Sequence, residues 1–386
     1  MPTVLYDEQM EVFTKIIDYF SDLNRGADVM VFNAPGGTGK TTIIREVVKN
    51  LSLLGVKGLV CAFTGRAAAQ LRKGGLAAST FHSVMYAPIL DKDGVVTGWH
   101  LRSIQEMKDA VGSYIICDEA SMVNFETVQG MLALEIPILF VGHEAQLPPV
   151  EQNEEYKDFN PMNSFDCETL SLTKNRRVTE GLEGLLKINA HFRESNGVPR
   201  FLRGGGIEFI RKCQVDIDYL KENEFDIILC GKNATRRKMN EIVRRAKGYT
   251  TDVPQEGEQV VCLRNGVIEE RKISNGDIFK VMGTIGGEKE STLMLQNTDT
   301  GERITAKVWN ETWATEKYPD GKYPRHGQPQ THQIMAYGYS ISVHKAQRST
   351  FSSVLFYDED VSFFLDQQRF RYTAVSRAAD KLTYAM

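Results

Sequence analysis

A glycine-rich segment, AlaProGlyGlyThrGlyLysThr at residues 34–41, constrains the fold of this chain more than any other feature. It follows an apolar run at residues 29–32 and precedes a helix-like segment at residues 42–54. A strand, a glycine loop and a helix in this order are typical of a phosphate-binding loop. Glycine frees backbone N–H groups to wrap a polyphosphate, and the helix N-terminus adds its positive dipole. The segment therefore predicts a site for a nucleoside triphosphate.

Two side chains of this segment have defined roles in such a loop. Lys40 would reach the β- and γ-phosphates, and the Thr41 hydroxyl would hold Mg²⁺. Ala34 stands where the strict pattern has its first glycine, and it still suits a tight turn. The residues predicted to bind the nucleotide through this loop are Gly36, Gly37, Thr38, Gly39, Lys40, Thr41 and Thr42.

Length and composition are those of an ordinary globular protein with more than one core. With 386 residues, of which 42% are hydrophobic, two or three domains are expected. No apolar run approaches the ~20 residues of a membrane span, and the N-terminus lacks a signal-peptide pattern. The net charge of −4 gives no global argument for nucleic acid, although basic residues cluster at 174–177, 235–238 and 244–247. A solvated helix face would explain each cluster equally well.

The cysteines are scattered, without the CxxC spacing of a structural zinc site. Most lie in apolar, strand-like contexts, which predicts small buried side chains in a reducing compartment. They are Cys61, Cys117, Cys167, Cys213, Cys230 and Cys262.

Strand-like apolar runs alternate with helical stretches along much of the chain. They lie at residues 29–32, 58–63, 114–117, 136–141 and 226–230. This alternation predicts an α/β fold with parallel, doubly wound sheets. Two blocks break the pattern, because residues 84–112 contain a hairpin signal with AspGly at its centre and residues 250–333 contain short alternating runs separated by AsnGly and GlyGly. We expect an inserted β-hairpin and a small inserted β-barrel or β-sheet.

A pair of carboxylates follows the apolar run at residues 114–117. Asp118 would hold Mg²⁺ through its hydration shell, and Glu119 would orient and deprotonate the attacking water. Downstream of a phosphate-binding loop, such a pair predicts ATP hydrolysis in addition to ATP binding.

Further motifs resemble those of superfamily 1 helicases. PheValGlyHisGluAlaGlnLeuProProVal at residues 140–150 resembles their G-D-x-x-Q-L-P-P-V motif. SerValHisLysAlaGln at 342–347 resembles T-V-H-K-x-Q-G, and TyrThrAlaValSerArgAla at 372–378 resembles Y-V-A-L/V-T/S-R-A. Residues 62–68, 79–83 and 5–9 are similar to motifs Ia and Ib and to the Q motif of the RecD/Dda branch. The matches run in family order over almost the entire chain.

The resemblance implies an architecture of two RecA-like P-loop domains with parallel sheets, plus an inserted β-hairpin and a small SH3-like β-barrel. Domain 1A would span residues 1–170, with the hairpin at about 84–112. Domain 2A would span residues 171–250 and 335–386, and the barrel, 2B, residues 251–334.

The resemblance also implies roles in nucleotide chemistry. Gln9 would read the adenine edge, and Gln146 would sense the γ-phosphate. LeuThrLysAsnArgArgVal at 172–178 aligns with L-T-x-x-F-R-Q, which makes Arg177 the first arginine finger and Arg176 its rival. Arg377 would be the second finger, reaching in from the other domain, because a planar guanidinium stabilises charge on a transferring phosphoryl group.

Contacts to DNA are expected from motifs Ia, Ib and V. Hydroxyl and imidazole donors can hold phosphates without reading bases, although helix caps or turn bonds would also explain the hydroxyls. The expected residues are Phe63, Thr64, Thr80, His82, Ser342 and His344. Phe63 stands where the branch usually has proline, and its apolar neighbours favour the core over base stacking. The hairpin falls where the branch carries its strand-splitting pin, with Trp99 or Tyr86 as a stacking residue, but an ordinary surface hairpin would look the same.

Three positions depart from the family pattern. His143 replaces the aspartate of G-D-x-x-Q, which puts the coupling of hydrolysis to DNA in doubt. Val178 replaces the glutamine after the first arginine finger, and Arg348 replaces the glycine of H-K-x-Q-G. None of the three changes Lys40 or the expected Mg²⁺ ligands.

The resemblance as a whole implies an ATP-dependent DNA helicase that uses ATP and Mg²⁺ and translocates 5′→3′ on single-stranded DNA. Its expected partners are single-stranded DNA, a fork duplex and single-strand-binding or replication proteins, in replication or repair. We expect a monomer in the cytosol of a bacterium or of a phage-infected host. Two alternatives remain: a single-strand translocase with weak unwinding, and a DNA-binding or loading subunit with impaired ATP turnover.

Overall fold

The computed structural model describes residues 4–22, 28–90, 96–148, 154–156, 159–176, 181–199, 202–268, 271–317, 319, 332–347, 349–363 and 366–386. The chain divides into two compact units. The first comprises Met1–Ile89 and Gly98–Thr179, and the second comprises Leu90–Thr97 and Glu180–Met386.

Helices and strands alternate between residues 7 and 171. They are α1 (Asp7–Ser21), β1 (Val29–Asn33), α2 (Lys40–Leu53), β2 (Leu59–Ala62), α3 (Gly65–Lys73), β3 (Ala78–Thr80), α4 (Phe81–Met85), β4 (Tyr86–Leu90), β5 (Val96–Leu101), α5 (Ile104–Val111), β6 (Ile115–Asp118), α6 (Phe125–Leu132), β7 (Ile138–Gly142) and β8 (Thr169–Ser171).

The main sheet of the first unit is parallel, with strand order β3-β2-β6-β7-β1-β8. One face buries apolar side chains of α1, α2 and α3, and the other face buries those of α4, α5 and α6. The strands are apolar along most of their length because both faces are covered. At the carboxyl edge, Asp118 is in register with Ala62 and with Val141, and Asn33 is in register with Gly142. The segments that follow β1, β2, β6 and β7 therefore leave the sheet at one edge, where open α/β sheets bind ligands.

The second unit contains a parallel sheet and an antiparallel sheet. Its elements are α7 (Glu183–Glu194), β9 (Ile207–Ile210), α8 (Ile217–Glu222), β10 (Ile227–Cys230), α9 (Asn233–Ala246), β11 (Gln259–Cys262), β12 (Gly266–Ile268), β13 (Arg271–Ile273), β14 (Ile278–Gly286), β15 (Glu290–Asn297), β16 (Arg303–Trp309), α10 (Thr312–Thr315), β17 (Met335–Tyr337), β18 (Ser340–Ser342), α11 (Val343–Ala346), β19 (Phe351–Tyr357), α12 (Gln367–Val375) and β20 (Ala378–Ala385).

The parallel sheet has the order β18-β10-β19-β20-β9. The antiparallel sheet has the order β16-β15-β14-β11-β17 and packs its own apolar core around Val260, Val281 and Leu293. Strand β17 pairs with β11, so Met335–Tyr337 belongs to the antiparallel sheet, although the sequence analysis assigns these residues to domain 2A.

The expectation of an α/β fold with parallel sheets is confirmed, and the differences are local. Helix α2 begins at Lys40, two residues earlier than predicted, because the last loop glycine serves as its N-cap. Four cysteines are buried, Cys167 is partly buried and Cys213 is exposed, as expected for most of them. Among the described residues, no helix has both the length and the apolar character needed to cross a membrane.

A buried carboxylate from a distant segment contacts the N-terminus of α9 in the second unit. Glu359, two residues after β19, accepts hydrogen bonds from the N–H groups of Gly231 (2.8 Å) and Lys232 (3.0 Å). It also accepts one from the Thr235 hydroxyl at 2.5 Å. A carboxylate satisfies the donors that a helix N-terminus leaves open and interacts favourably with the helix dipole.

We expect Glu359→Gln to lower the free energy of unfolding by about 1–2 kcal/mol, because a neutral amide forms weaker hydrogen bonds than a carboxylate at this position. Urea denaturation of the full chain measures the change. Glu222→Gln, at the exposed end of α8, is the control and should be neutral. Equal stability of the two variants would contradict the capping role.

Candidate nucleotide site and nucleic-acid interface

The glycine-rich loop connects β1 to α2 at the carboxyl edge of the first sheet. Gly37 (φ 83°) and Gly39 (φ 100°) adopt the left-handed conformation, which other residues rarely adopt. A Cβ atom on Gly39 would lie 2.3 Å from Nε2 of Gln9, so no larger residue fits there without a shift. The loop is therefore a close backbone turn that opens a helix, as a phosphate-binding loop requires.

Lys40 lies at the first position of α2 and folds back over the loop. Its ammonium group donates to the carbonyl oxygens of Ala34 (2.6 Å) and Pro35 (3.0 Å). These contacts hold a positive charge above the loop, where it can exchange carbonyl oxygens for phosphate oxygens. Thr41 follows in the first turn of α2 and is exposed.

The carboxylate pair lies at the end of β6, on the same edge of the sheet. The side chain of Asp118 accepts a hydrogen bond from the backbone N–H of Glu119 at 3.0 Å. Glu119 has φ 54°, which is uncommon for a residue other than glycine and often marks a functional site. Its Oε2 atom is buried and has no hydrogen-bond partner among the described residues. An oxygen of this kind fits a bound water or the hydration shell of a cation, because leaving it unpaired is costly.

His143 and Gln146 form a turn after β7. The Nδ1 atom of His143 accepts a hydrogen bond from the Ala145 N–H at 3.1 Å, and the Gln146 N–H donates to the His143 carbonyl at 3.1 Å. A family aspartate could accept the same N–H through its carboxylate, as in an Asx-turn. The departure at this position therefore preserves the turn that holds Gln146, although it removes a negative charge.

Gln9 ties the start of α1 to the glycine loop. Its Nε2 atom donates to the Thr38 carbonyl at 3.0 Å, and its Oε1 atom accepts from the Tyr6 N–H at 3.2 Å. The guanidinium of Arg176 stacks on the Tyr6 ring at 3.5 Å, so this arginine lies beside the nucleotide loop in the first unit. Arg177, Val178 and Arg348 lie outside the described residues.

The candidate DNA contacts of the first unit lie at the starts of short helices. Thr64 caps α3 by accepting from the Ala67 N–H at 3.4 Å, and Thr80 caps α4 by accepting from the Ser83 N–H at 3.3 Å. Capping therefore accounts for both hydroxyls. Phe63 is 36% exposed, so the preference for a core position is wrong: Phe63 lies after the end of β2 and before α3, outside the buried strand.

Aromatic side chains lie on and beside strands β4 and β5. Strands β4 and β5 form a two-stranded sheet, and the residues between them, 91–95, lie outside the described part of the chain. The Trp99 side chain is 46% exposed. The rings of His82 and Tyr86 stack at 4.5 Å with an angle of 30° between their planes.

Motif V of the second unit begins at the end of β18. Ser342 caps α11 by accepting from the Lys345 N–H at 3.4 Å. The Nε2 atom of His344 is buried and has no hydrogen-bond partner among the described residues, and burial lowers the pKa of His344. Burial, with a contribution from Arg236, also lowers the pKa of Lys345 to about 8, whereas the Glu316 carboxylate opposes the shift. Sequence reasoning gave Lys345 no role, because its burial is a tertiary property.

Arg377 follows α12 and is held by neighbours within the second unit. Its guanidinium donates to the carbonyls of Thr373 (3.0 Å) and Ser349 (3.4 Å) and to the hydroxyl of Ser376 (2.8 Å).

The chain is similar to known proteins in sequence and in fold. A family model described as "AAA domain" matches residues 5–195. The ATP-dependent DNA helicase dda of Enterobacteria phage T4 is 24% identical to this chain, over 77% of this chain and 71% of its own length. The ATP-dependent RecD2 DNA helicase of Deinococcus radiodurans is 25% identical over 92% of this chain, which spans only 46% of that relative.

A solved structure is similar over the full fold. It is the Pif1 helicase from Bacteroides in complex with ADP-AlF3 and ssDNA, at 18% identity and a TM-score of 0.62. The match covers 99% of this chain and 92% of that chain. At this identity the likeness concerns the fold, and the two parallel sheets match those of RecA-like helicase structures.

A glycine loop, a lysine and a carboxylate with an unpaired oxygen on one sheet edge define the class of P-loop nucleotide hydrolases. The helicase motifs and the similar proteins narrow that class. In these motifs and in sequence the chain is similar to superfamily 1 helicases of the branch that contains RecD and Dda.

We expect His143→Ala to reduce ATP hydrolysis about fivefold and His143→Asp to change it less than about threefold. Alanine leaves the Ala145 N–H without its acceptor, a loss of about 1 kcal/mol in the turn that holds Gln146, whereas aspartate can accept the same bond. Steady-state hydrolysis of ATP by the two variants measures the difference. A large rise in the His143→Asp rate would instead favour the subunit with impaired turnover.

We expect the free energy of unfolding to fall between pH 7.5 and pH 5.5, with part of the fall due to His344. Because burial lowers its pKa, the unfolded chain takes up a proton near the ordinary pKa of about 6.5 while the folded protein resists it. The stability contribution is thus present above that pH and is lost below it. His344→Gln should show a shallower fall in urea denaturation, and His100→Gln, at an exposed position, should keep the wild-type slope.

Proposed function

We propose that this chain is an ATP-dependent DNA helicase that translocates 5′→3′ on single-stranded DNA and separates duplex at a fork. The observation that carries the proposal is the unpaired, buried Oε2 of Glu119 on the same sheet edge as the glycine loop. An arrangement that only bound nucleotide would not need an acceptor in this position. The similar helicases and the DNA-bound Pif1 structure support nucleic acid as the partner of the motor.

The residues fit ATP with Mg²⁺, which would supply an activated γ-phosphoryl group to the attacking water. The N–H groups of the glycine loop and Lys40 would hold the phosphates, and Thr41 and Asp118 would hold the cation. Glu119 would take the proton of the water, and Gln146 would position that water beside the γ-phosphate.

Two arginines would complete the nucleotide chemistry. Arg177 and Arg377 would stabilise the charge that develops on the transferring phosphoryl group. Arg377 would exchange its present carbonyl acceptors in the second unit for phosphate oxygens. Gln9 would read the adenine while it keeps its contact to the loop.

The DNA path would follow motifs Ia, Ib and V. Thr64, Thr80 and Ser342 stand at helix starts, where a hydroxyl and neighbouring N–H groups can face a phosphate. The residues proposed to contact DNA are Phe63, Thr64, Thr80, His82, Ser342 and His344. The hairpin of β4 and β5 would be the strand-splitting pin, with Trp99 or Tyr86 against the fork.

The proposal includes the boundaries of the domains. Residues 1–170 would be domain 1A, residues 171–250 and 335–386 domain 2A, and residues 251–334 an SH3-like 2B barrel. Residues 171–176 nevertheless belong to the first compact unit, and residues 335–337 pair within the antiparallel sheet. The chain would act as a monomer in a reducing cytosol, with single-strand-binding or replication proteins as partners. The six free cysteines support the compartment.

We expect single-stranded DNA to stimulate ATP hydrolysis strongly in the wild-type chain and not in Lys40→Ala. Glu119→Gln should keep ADP binding and lower the rate at least ~100-fold, because it removes the general base. Steady-state hydrolysis with and without DNA, together with ADP titration, measures both effects. Tight DNA binding without stimulation would contradict the motor and favour the loading subunit.

Duplex unwinding and its direction are tested with forked duplexes that carry a single-stranded tail of either polarity. A 5′→3′ motor unwinds the duplex that it approaches from a 5′ tail and leaves the 3′-tailed duplex intact. Stimulated hydrolysis with no unwinding of either substrate would favour the single-strand translocase. Trp99→Ala should lower unwinding more than single-strand-stimulated hydrolysis if the hairpin is the pin.

A further inference from the structure

Three consecutive carbonyl groups of the glycine loop accept hydrogen bonds from outside the loop. The Gly36 carbonyl accepts from Asn175 Nδ2 at 2.9 Å, and the Gly37 carbonyl accepts from the Arg176 N–H at 2.8 Å. The Thr38 carbonyl accepts from Gln9 Nε2 at 3.0 Å. The outer rim of the loop is thus held at three successive peptide groups by residues from two distant segments of the first unit.

These bonds determine where the N–H groups of the loop point. In a trans peptide the carbonyl of one residue and the N–H of the next point in opposite directions. With the carbonyls of residues 36–38 turned toward their partners, the N–H groups of Gly37, Thr38 and Gly39 turn to the inside of the loop. Within the described parts of the chain these N–H groups donate to no protein acceptor. They are available to an anion.

The segment that carries Asn175 is itself anchored at two points. The Thr173 N–H and hydroxyl both donate to the Glu8 carboxylate, at 2.6 Å and 3.0 Å, and these bonds lower the pKa of Glu8, although burial opposes the shift. One residue beyond Asn175, the guanidinium of Arg176 stacks on the Tyr6 ring. Asn175 is therefore presented to the loop from a fixed segment.

We propose that Asn175 is a positioning residue for nucleotide binding: it holds the Gly36–Gly37 peptide so that the Gly37 N–H faces the bound phosphates. The inference rests on the proposed function, because it assumes that the loop binds a nucleotide. No helicase motif quoted for this chain assigns a role to this position. Arg176 bonds the loop through its backbone N–H, which a substitution does not remove, and Gln9 also accepts from the Tyr6 N–H. The contact of Asn175 is a side-chain bond to the Gly36 carbonyl.

The test compares Asn175→Ala and Asn175→Asp with the same two substitutions at Asn50. Asn50 is a matched control, since it is also partly buried and also donates its amide to a backbone carbonyl, that of Glu46, at 2.8 Å, but in the interior of α2. The dissociation constant for ADP with Mg²⁺ is measured by calorimetric titration of the full chain. Thermal unfolding of the apoprotein and the affinity for single-stranded DNA are measured in parallel.

Asn175→Ala should weaken ADP binding about fivefold, which corresponds to about 1 kcal/mol, and should raise KM for ATP while kcat changes less than about twofold. Asn175→Asp should weaken ADP binding further, because a carboxylate cannot donate and repels phosphate. Both should leave the affinity for DNA unchanged, and the Asn50 variants should bind ADP as the wild type does.

A purely structural role predicts a different pattern, in which Asn175→Ala lowers the unfolding temperature but leaves the ADP dissociation constant unchanged. That result would overturn the inference. Equal weakening of ADP binding in the Asn175 and Asn50 variants would overturn it as well. If the wild type bound no ADP, or if Lys40→Ala bound it as tightly, the proposed function itself would fail. The two failures are therefore distinguishable.

Discussion

The parallel register of the first sheet is the constraint on which the site depends. Strands β1, β2, β6 and β7 end level with one another, with Asn33 opposite Gly142 and Asp118 opposite Val141. Each strand therefore delivers the next few residues of its loop to one edge. The glycine loop, the carboxylate pair and the turn of His143 meet there although up to about a hundred residues separate them in the chain. A shift of one strand by a single residue would move its functional group away from the others.

The two units make different use of a strand followed by a helix N-terminus. In the first unit the loop before α2 keeps its N–H groups open, because its carbonyls are held from outside and its glycines accept left-handed conformations. In the second unit the corresponding N–H groups before α9 are already occupied by the Glu359 carboxylate. The same local geometry thus serves an anionic ligand in one case and the stability of the fold in the other.

The hydroxyl residues of the helicase motifs have a structural task in this protein. Thr64, Thr80 and Ser342 each cap the helix that follows a strand. A cap residue stands beside the open N–H groups of a helix start, so capping and phosphate contact require the same position. The two explanations offered by the sequence are therefore compatible, and substitution of these residues will affect helix stability as well as DNA binding.

The sequence by itself determined the nucleotide loop, the carboxylate pair, the parallel α/β class and the resemblance to superfamily 1 helicases. These features are local, since glycines, a lysine and carboxylates at fixed spacing next to apolar runs specify their own geometry. Tertiary structure alone decided the bonds of Asn175, the exposure of Phe63, the capping of α9 by Glu359 and the lowered pKa of Lys345. Each of these joins segments far apart in the chain or depends on burial, and residue spacing carries no information about which distant groups the packed sheet brings into contact.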